Sequence, residues 1–137
     1  MEINIHIFTS IALVVVLYPF FGWISVFAIV GGCLVDFDHY LTYVMRKKDW
    51  SLKEAVNYYR RRRFAVKMPM LHIFHTIECF AVLAVISFYY NIFLVVLLGF
   101  VLHMLLDFAD CAYYRSWFIR INSIIAWILI SARKSTT

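Results

Sequence analysis

Charge is scarce in this chain and is missing from long stretches of it. Asp, Glu, Lys and Arg make up 15% of the 137 residues; no Lys or Arg precedes Arg46, and none falls between Lys67 and Arg115. A soluble domain carries about 25% charged residues, so the sequence argues against an ordinary soluble protein. Cysteine is equally sparse. Cys33, Cys79 and Cys111 are odd in number and lack C-x-x-C spacing, which excludes a disulfide framework or a zinc ribbon and predicts three reduced thiols. With 4 glycines and 2 prolines there is no phosphate-cradling glycine loop and no low-complexity segment. No internal repeat and no serine-histidine-aspartate triad is visible either, and residues 1–137 read as a single domain.

What is present is apolar. Hydrophobic residues reach 64% and the mean hydropathy is +0.82, which predicts an all-α integral membrane bundle. Four stretches of about 18 residues meet the minimum length for crossing the hydrocarbon layer: 3–20, 23–40, 71–88 and 92–109. Pro19 and Gly22 punctuate the first pair, and Tyr89-Tyr90-Asn91 the second, giving two helical hairpins. The first stretch lacks a basic start and a cleavage site, and is expected to be retained.

Residues 46–67 hold Arg46, Lys47, Lys48, Lys53, Arg60, Arg61, Arg62, Arg63 and Lys67, most of the chain's 13 basic residues. The positive-inside rule puts this loop in the cytoplasm of a cell whose inner or plasma membrane holds the protein. The net charge of +5 is thereby a topology signal, and no nucleic-acid partner is expected. Ser51-Leu52-Lys53-Glu54 has capping-box form, and Leu52, Ala55, Val56 and Tyr59 recur at helical spacing. An amphipathic surface helix is expected there, its Arg60, Arg61, Arg62 and Arg63 within reach of lipid headgroups, although an orientation signal alone explains the same charges. A fifth apolar run, 117–131, is read as a C-terminal interfacial or short helix.

The polar residues of the apolar stretches gather at one end. With the loop fixed on one side, His6, the Asp36, Asp38, His39 group, the His72, His75, Glu78 group and the His103, Asp107, Asp110 group all fall on that side. Within helices, His72 and His75 at i, i+3 and His103 and Asp107 at i, i+4 would share a face. A charged side chain at the centre of a membrane helix costs roughly 2.5 to 3.5 kcal/mol, so the carboxylates need a cation, and these stretches contain no basic residue. Imidazole mixed with carboxylate suits a divalent metal: zinc, with manganese and iron as alternatives, and either one ion or two. His6, Asp36, Asp38, His39, His72, His75, His103 and Asp107 are the candidate ligands. Glu78 and Asp110 are expected to support them from behind, and Asp38, His75 and Asp107 are the candidates for catalysis. The bland alternatives are internal hydrogen bonding for His6, helix capping for one of Asp36 and Asp38, a headgroup-level position for Asp110, and helix packing for Gly31, Gly32 and Gly99.

The segments IHIFTS, VDFDH, HIFHT and GFVLHMLLD together resemble the predicted membrane-bound metal-dependent hydrolases, small inner-membrane proteins with a LexA-regulated member. Those proteins carry a histidine in the first span, then P-D-x-D-H, H-R-G-x-T-H-S and G-x-x-x-H-x-x-x-D, in the order in which His6, Asp36, Asp38, His39, His75, Thr76, Gly99, His103 and Asp107 occur here. Val35 stands where the family has proline, and the third motif is shortened and lacks its arginine. The resemblance covers the chain up to about residue 110 and implies a metal site.

These features together lead to an expected metal-dependent hydrolase, acting on a phosphoester of a lipid or lipid-linked substrate at the cytoplasmic face. Metal transport or sensing without catalysis is the rival, although the outer halves of the spans offer an ion no polar path. A di-iron bundle enzyme would need Glu-x-x-His pairs, which the sequence lacks.

Overall fold

The computed structural model describes residues 3–62, 70–114, 120–121 and 123–135. Helix α1 (Ile3–Phe21) is apolar on all sides, as expected of a helix without a solvent face; its 19 residues extend about 28 Å. Gly22, with φ +55°, takes the left-handed conformation that a glycine adopts at little cost, and the chain reverses there. The return leg is not one straight helix. It runs as a 3-10 segment (Gly22–Phe27), helix α2 (Ala28–Cys33), a 3-10 turn (Leu34–Asp36) and helix α3 (Phe37–Lys47). It lies antiparallel to α1: Leu17 packs with Ala28 in the core, and the Cys33 thiol donates to Ser10 Oγ at 3.3 Å.

Helix α6 (Asn91–Tyr114) crosses this hairpin and packs most extensively on α2. The two backbones nearly touch: a Cβ at Gly99 would overlap the Ala28 carbonyl, and one at Gly31 would overlap the Val96 carbonyl. His103 follows Gly99 by one helical turn, so this crossing sets how close its ring comes to α2.

The segment expected to span 71–88 differs. Helix α5 (Ile77–Ser87) has 11 residues and begins after Thr76, whose Oγ1 accepts the Cys79 N–H at 3.3 Å as an N-cap. His72 is extended and a 3-10 turn (Ile73–His75) follows, so His72 and His75 do not share a helix face as the i, i+3 spacing suggested. Strand β1 (Met70–Leu71) pairs in parallel with β2 (Arg120–Ile121), a short ladder beside the helices. Of the apolar run 117–131, residues 117–119 and 122 lie outside the described residues, Arg120–Ile121 form β2, and helix α7 (Ile124–Ser135) takes up the rest.

Helix α4 (Leu52–Arg62) starts where the capping box predicts, with Ser51 Oγ accepting the Glu54 N–H at 3.3 Å. Its inner face packs on α3. Ala55 is buried against Tyr43 and Val44 of α3, flanked by Tyr58 and Tyr59, while Leu52 points outward. Lys48, left-handed at φ 53°, ends α3, and Asp49 ties the turn together by accepting the Tyr43 hydroxyl and the Ser51 N–H. Arg60 and Arg61 are exposed at the end of α4; Arg63, Lys67 and the side chain of Arg62 lie outside the described residues.

Two helical stretches, Ile3–Lys47 and Asn91–Tyr114, are long and apolar enough to cross a membrane. Only 17% and 28% of their most apolar windows are buried within the fold. Large side chains such as Phe8, Val15, Phe20 and Trp23 face outward. Helices α5 and α7 are apolar but shorter.

Candidate metal centre

Polar side chains from four separate segments meet at the end of the bundle where α1 begins and α6 approaches its close. His6 comes from α1; Asp36, Asp38 and His39 from the 3-10 turn and the start of α3; His72 and His75 from the segment before α5; His103 and Asp107 from α6. They form four overlapping groups of possible ligand atoms: His6, Asp36, His103; Asp36, His39, His75; Asp38, His39, His72; and His75, His103, Asp107. All eight ligand candidates from the sequence are in these groups.

Hydrogen bonds fix the direction of two rings. His103 is fully buried, and its Nδ1 lies 3.0 Å from the Gly32 carbonyl oxygen, which can only accept, so Nδ1 carries the proton. The second ring is His75, whose Nδ1 lies 3.4 Å from Asp38 Oδ2 and likewise donates. Both rings then present Nε2 to the same point, and these two atoms are 3.0 Å apart. In neutral imidazoles that juxtaposes two lone pairs, which only a proton or a cation between them can reconcile.

Carboxylates complete the enclosure. Asp36 Oδ1 lies 3.6 Å from both Nε2 atoms, and so does Asp107 Oδ2. Around a metal with bonds of about 2.1 Å, tetrahedral ligand atoms stand about 3.4 Å apart. The carboxylate distances are of that size: too long for hydrogen bonds, yet convergent. His6 Nε2 closes the far side, 3.5 Å from Asp107 Oδ1 and 3.9 Å from Asp36 Oδ2, with its ring stacked on His103 at 4.1 Å. Its Nδ1 is buried without a hydrogen-bond partner among the described residues. Buried His and Asp groups of this kind could hold a metal ion.

No family model, curated protein or solved structure matches this chain. The donor set alone therefore indicates the chemistry of the cluster.

Asp38 is the hub of the second half of the cluster. Its Oδ2 accepts the Phe74 N–H at 3.0 Å and the His75 Nδ1–H, pinning the 72–76 segment to α3. Its Oδ1 faces His39 Nδ1 at 2.7 Å and His72 Nδ1 at 3.8 Å. The His39 and His72 rings stack in parallel with centroids 3.7 Å apart, and Tyr59 of α4 stands edge-on to both. The Tyr59 hydroxyl donates to the His39 carbonyl at 3.0 Å, which holds α4 over this side of the cluster. Exposure is uneven: the side chain of Asp36 is 23% exposed and that of His39 14%, against 4% or less for His6, His75, His103 and Asp107.

Glu78 departs from its expected role behind the ligands. Sited in the first turn of α5, its carboxylate turns to α7, accepting from the Ser123 hydroxyl at 2.6 Å and from the Ile124 N–H at 3.1 Å. The free N–H groups and dipole of a helix N-terminus attract a carboxylate, which explains the choice. Asp110, two turns from His103 and half-buried, belongs to none of the four groups. Several partners had no signal in the sequence. The Gly32 carbonyl, the Phe74 N–H and Tyr59 act through the backbone or across segments, where local spacing carries no information. The three cysteines are free.

Proposed function

We propose that this protein is an integral membrane, metal-dependent hydrolase that cleaves a phosphoester of a lipid or lipid-linked substrate at the face where the histidines gather. The observation that carries the reading is the meeting of His75 Nε2 and His103 Nε2 at 3.0 Å, with Asp36 and Asp107 oxygens 3.6 Å from each. A shared proton would satisfy two nitrogens, whereas two carboxylates drawn around the same point, with His6 on their far oxygens, fit a divalent cation, zinc first among them. When bound, such an ion polarises a phosphoryl oxygen and makes a water more acidic. The chain's own part is to hold the donors: Gly32 and Asp38 orient the two rings, as outer partners of metal-bound histidines do. In the net reaction a water oxygen bonds to phosphorus, the ester P–O bond breaks, and the alcohol leaves with a proton.

The substrate class is suggested by the surroundings. Apolar side chains cover the outside of the bundle, while the exposed Lys47, Lys48, Lys53, Arg60 and Arg61 lie on α4 and at the end of α3, the elements that also carry Asp38, His39 and Tyr59. An anionic headgroup on a lipid tail matches that combination. The membrane arrangement we infer has four crossings in two hairpins, with the basic α3–α4 turn in the cytoplasm. Its support is the outward-facing apolar surface, which water would penalise at about 25 cal/mol per Å², and the absence of Lys and Arg before Arg46.

Metal analysis tests the reading directly. Purified protein should contain at least one equivalent of zinc, manganese or iron, and a His103→Ala/Asp107→Ala variant that elutes normally should lose it. Metal-free wild-type protein that takes up none on reconstitution would refute the proposal.

A further inference from the structure

We infer that the cluster holds two divalent ions rather than one, an inner ion and an outer ion, with Asp36 as the carboxylate they share. This rests on the metal-dependent reading above and assigns the ligands within it. The inner group is His75, His103 and Asp107, all buried and with both histidines offering Nε2, joined by His6, which is grouped with His103 and Asp36 and turns its own Nε2 to the other oxygen of Asp107 at 3.5 Å. Those four and Asp36 already fill the shell of one zinc or manganese ion, since zinc takes four ligands and sometimes five. Asp38, His39 and His72 are left over, and they form a group of their own with ligand atoms within 4.8 Å of one another.

The second group is built like a site. Both histidines turn Nδ1 to one oxygen, Asp38 Oδ1, His39 through a 2.7 Å hydrogen bond that a bound ion would replace and His72 at 3.8 Å, while the other oxygen of that carboxylate is occupied by the Phe74 and His75 N–H groups. One oxygen of Asp38 is thus structural and the other is turned to the stacked imidazoles. Asp36 Oδ1 lies 3.6 Å from His39 Nδ1, the same distance as from His75 Nε2 and His103 Nε2. A single carboxylate equidistant from both groups is what two ions about 3.5 to 4 Å apart require. Solvent reaches the pair through Asp36 and His39, so the outer ion is the one that exchanges and the one a phosphoester oxygen meets first.

The test is manganese titration of metal-depleted full-length protein in detergent, followed by electron paramagnetic resonance. Two equivalents should bind, the second more weakly, and the spectrum at saturation should be that of a spin-coupled pair. A His39→Ala/His72→Ala variant should bind one equivalent and give an uncoupled single-ion spectrum. Saturation of the wild type at one equivalent would overturn the inference and leave the one-ion hydrolase reading intact. No binding at all would overturn both. Because the stoichiometry and coupling of the wild type decide between these, the outcome does not depend on the variant folding.

Discussion

A single carboxylate can do two jobs when its two oxygens face different neighbours, and Asp38 and Asp49 both illustrate this. Asp38 pins the 72–76 segment with one oxygen and turns the other to His39 and His72. Asp49, in the exposed turn after α3, accepts the Tyr43 hydroxyl with one oxygen and the Ser51 N–H with the other. The Tyr43 bond first and the Ser51 N–H second hold the Asp49 carboxyl below the usual carboxylate range. A depressed folded-state value means that the turn gains stability from Asp49 above the unfolded pKa and loses it as pH falls through the folded one. Carbon-detected NMR titration should therefore show Asp49 titrating below its exposed counterparts in wild type, and moving back towards them in Tyr43→Phe. An unchanged Asp49 in that variant would show that the tyrosine bond is not the cause. The ligand candidates were legible at this scale: a buried acid or imidazole in a segment without lysine or arginine needs a reason, and that singled out His6, Asp36, His103 and Asp107. Glu78 met the same criterion yet caps α7 instead, because the criterion reports that a partner exists and not which one.

Among the elements, the apolar helices were readable and their interruptions were not. Lengths of apolar residues located α1 and α6 closely, since burial against lipid or protein has the same signature in sequence. The 3-10 segments flanking α2 and the late start of α5 arise from tertiary demands. A 3-10 turn has three residues per turn, so Leu34–Asp36 rotates the residues after it relative to a continuous helix, and Asp36 faces His103 of α6 while Asp38 and His39 face the 72–76 segment. At the α2–α6 crossing, Gly31 and Gly99 leave no room for a Cβ between the two backbones. Gly99→Ala would force its methyl into a backbone carbonyl that cannot rotate away, costing about 1 to 3 kcal/mol, the range for overpacking. Thermal unfolding in detergent should show a lowered midpoint, and because His103 rides on the same crossing, bound metal should fall as well. A wild-type midpoint would mean that the helices are not in backbone contact.

For the molecule as a whole, the contrast between an apolar exterior and a polar end sets the expected orientation. Single cysteines introduced in a cysteine-free background at Lys53, in the basic segment, and at Asn91, at the start of α6, should be labelled by a membrane-impermeant maleimide from opposite sides of oriented vesicles. Labelling of both from one side would reject the four-crossing arrangement, while extraction of the protein by alkaline carbonate would reject membrane insertion altogether. The polar end has a further consequence that concerns how the protein is made. Its donors run from the sixth residue to the 107th, and the two rings at its centre belong to segments that leave the ribosome well after α1. If the first hairpin inserts as it is made, it does so with Asp36 and Asp38 still lacking the His75 and His103 rings that surround them in the finished fold. A chain truncated before α6 would then carry Asp36 without its His103 and Asp107 neighbours, and should be less stable than the full chain when the two are compared in pulse-chase.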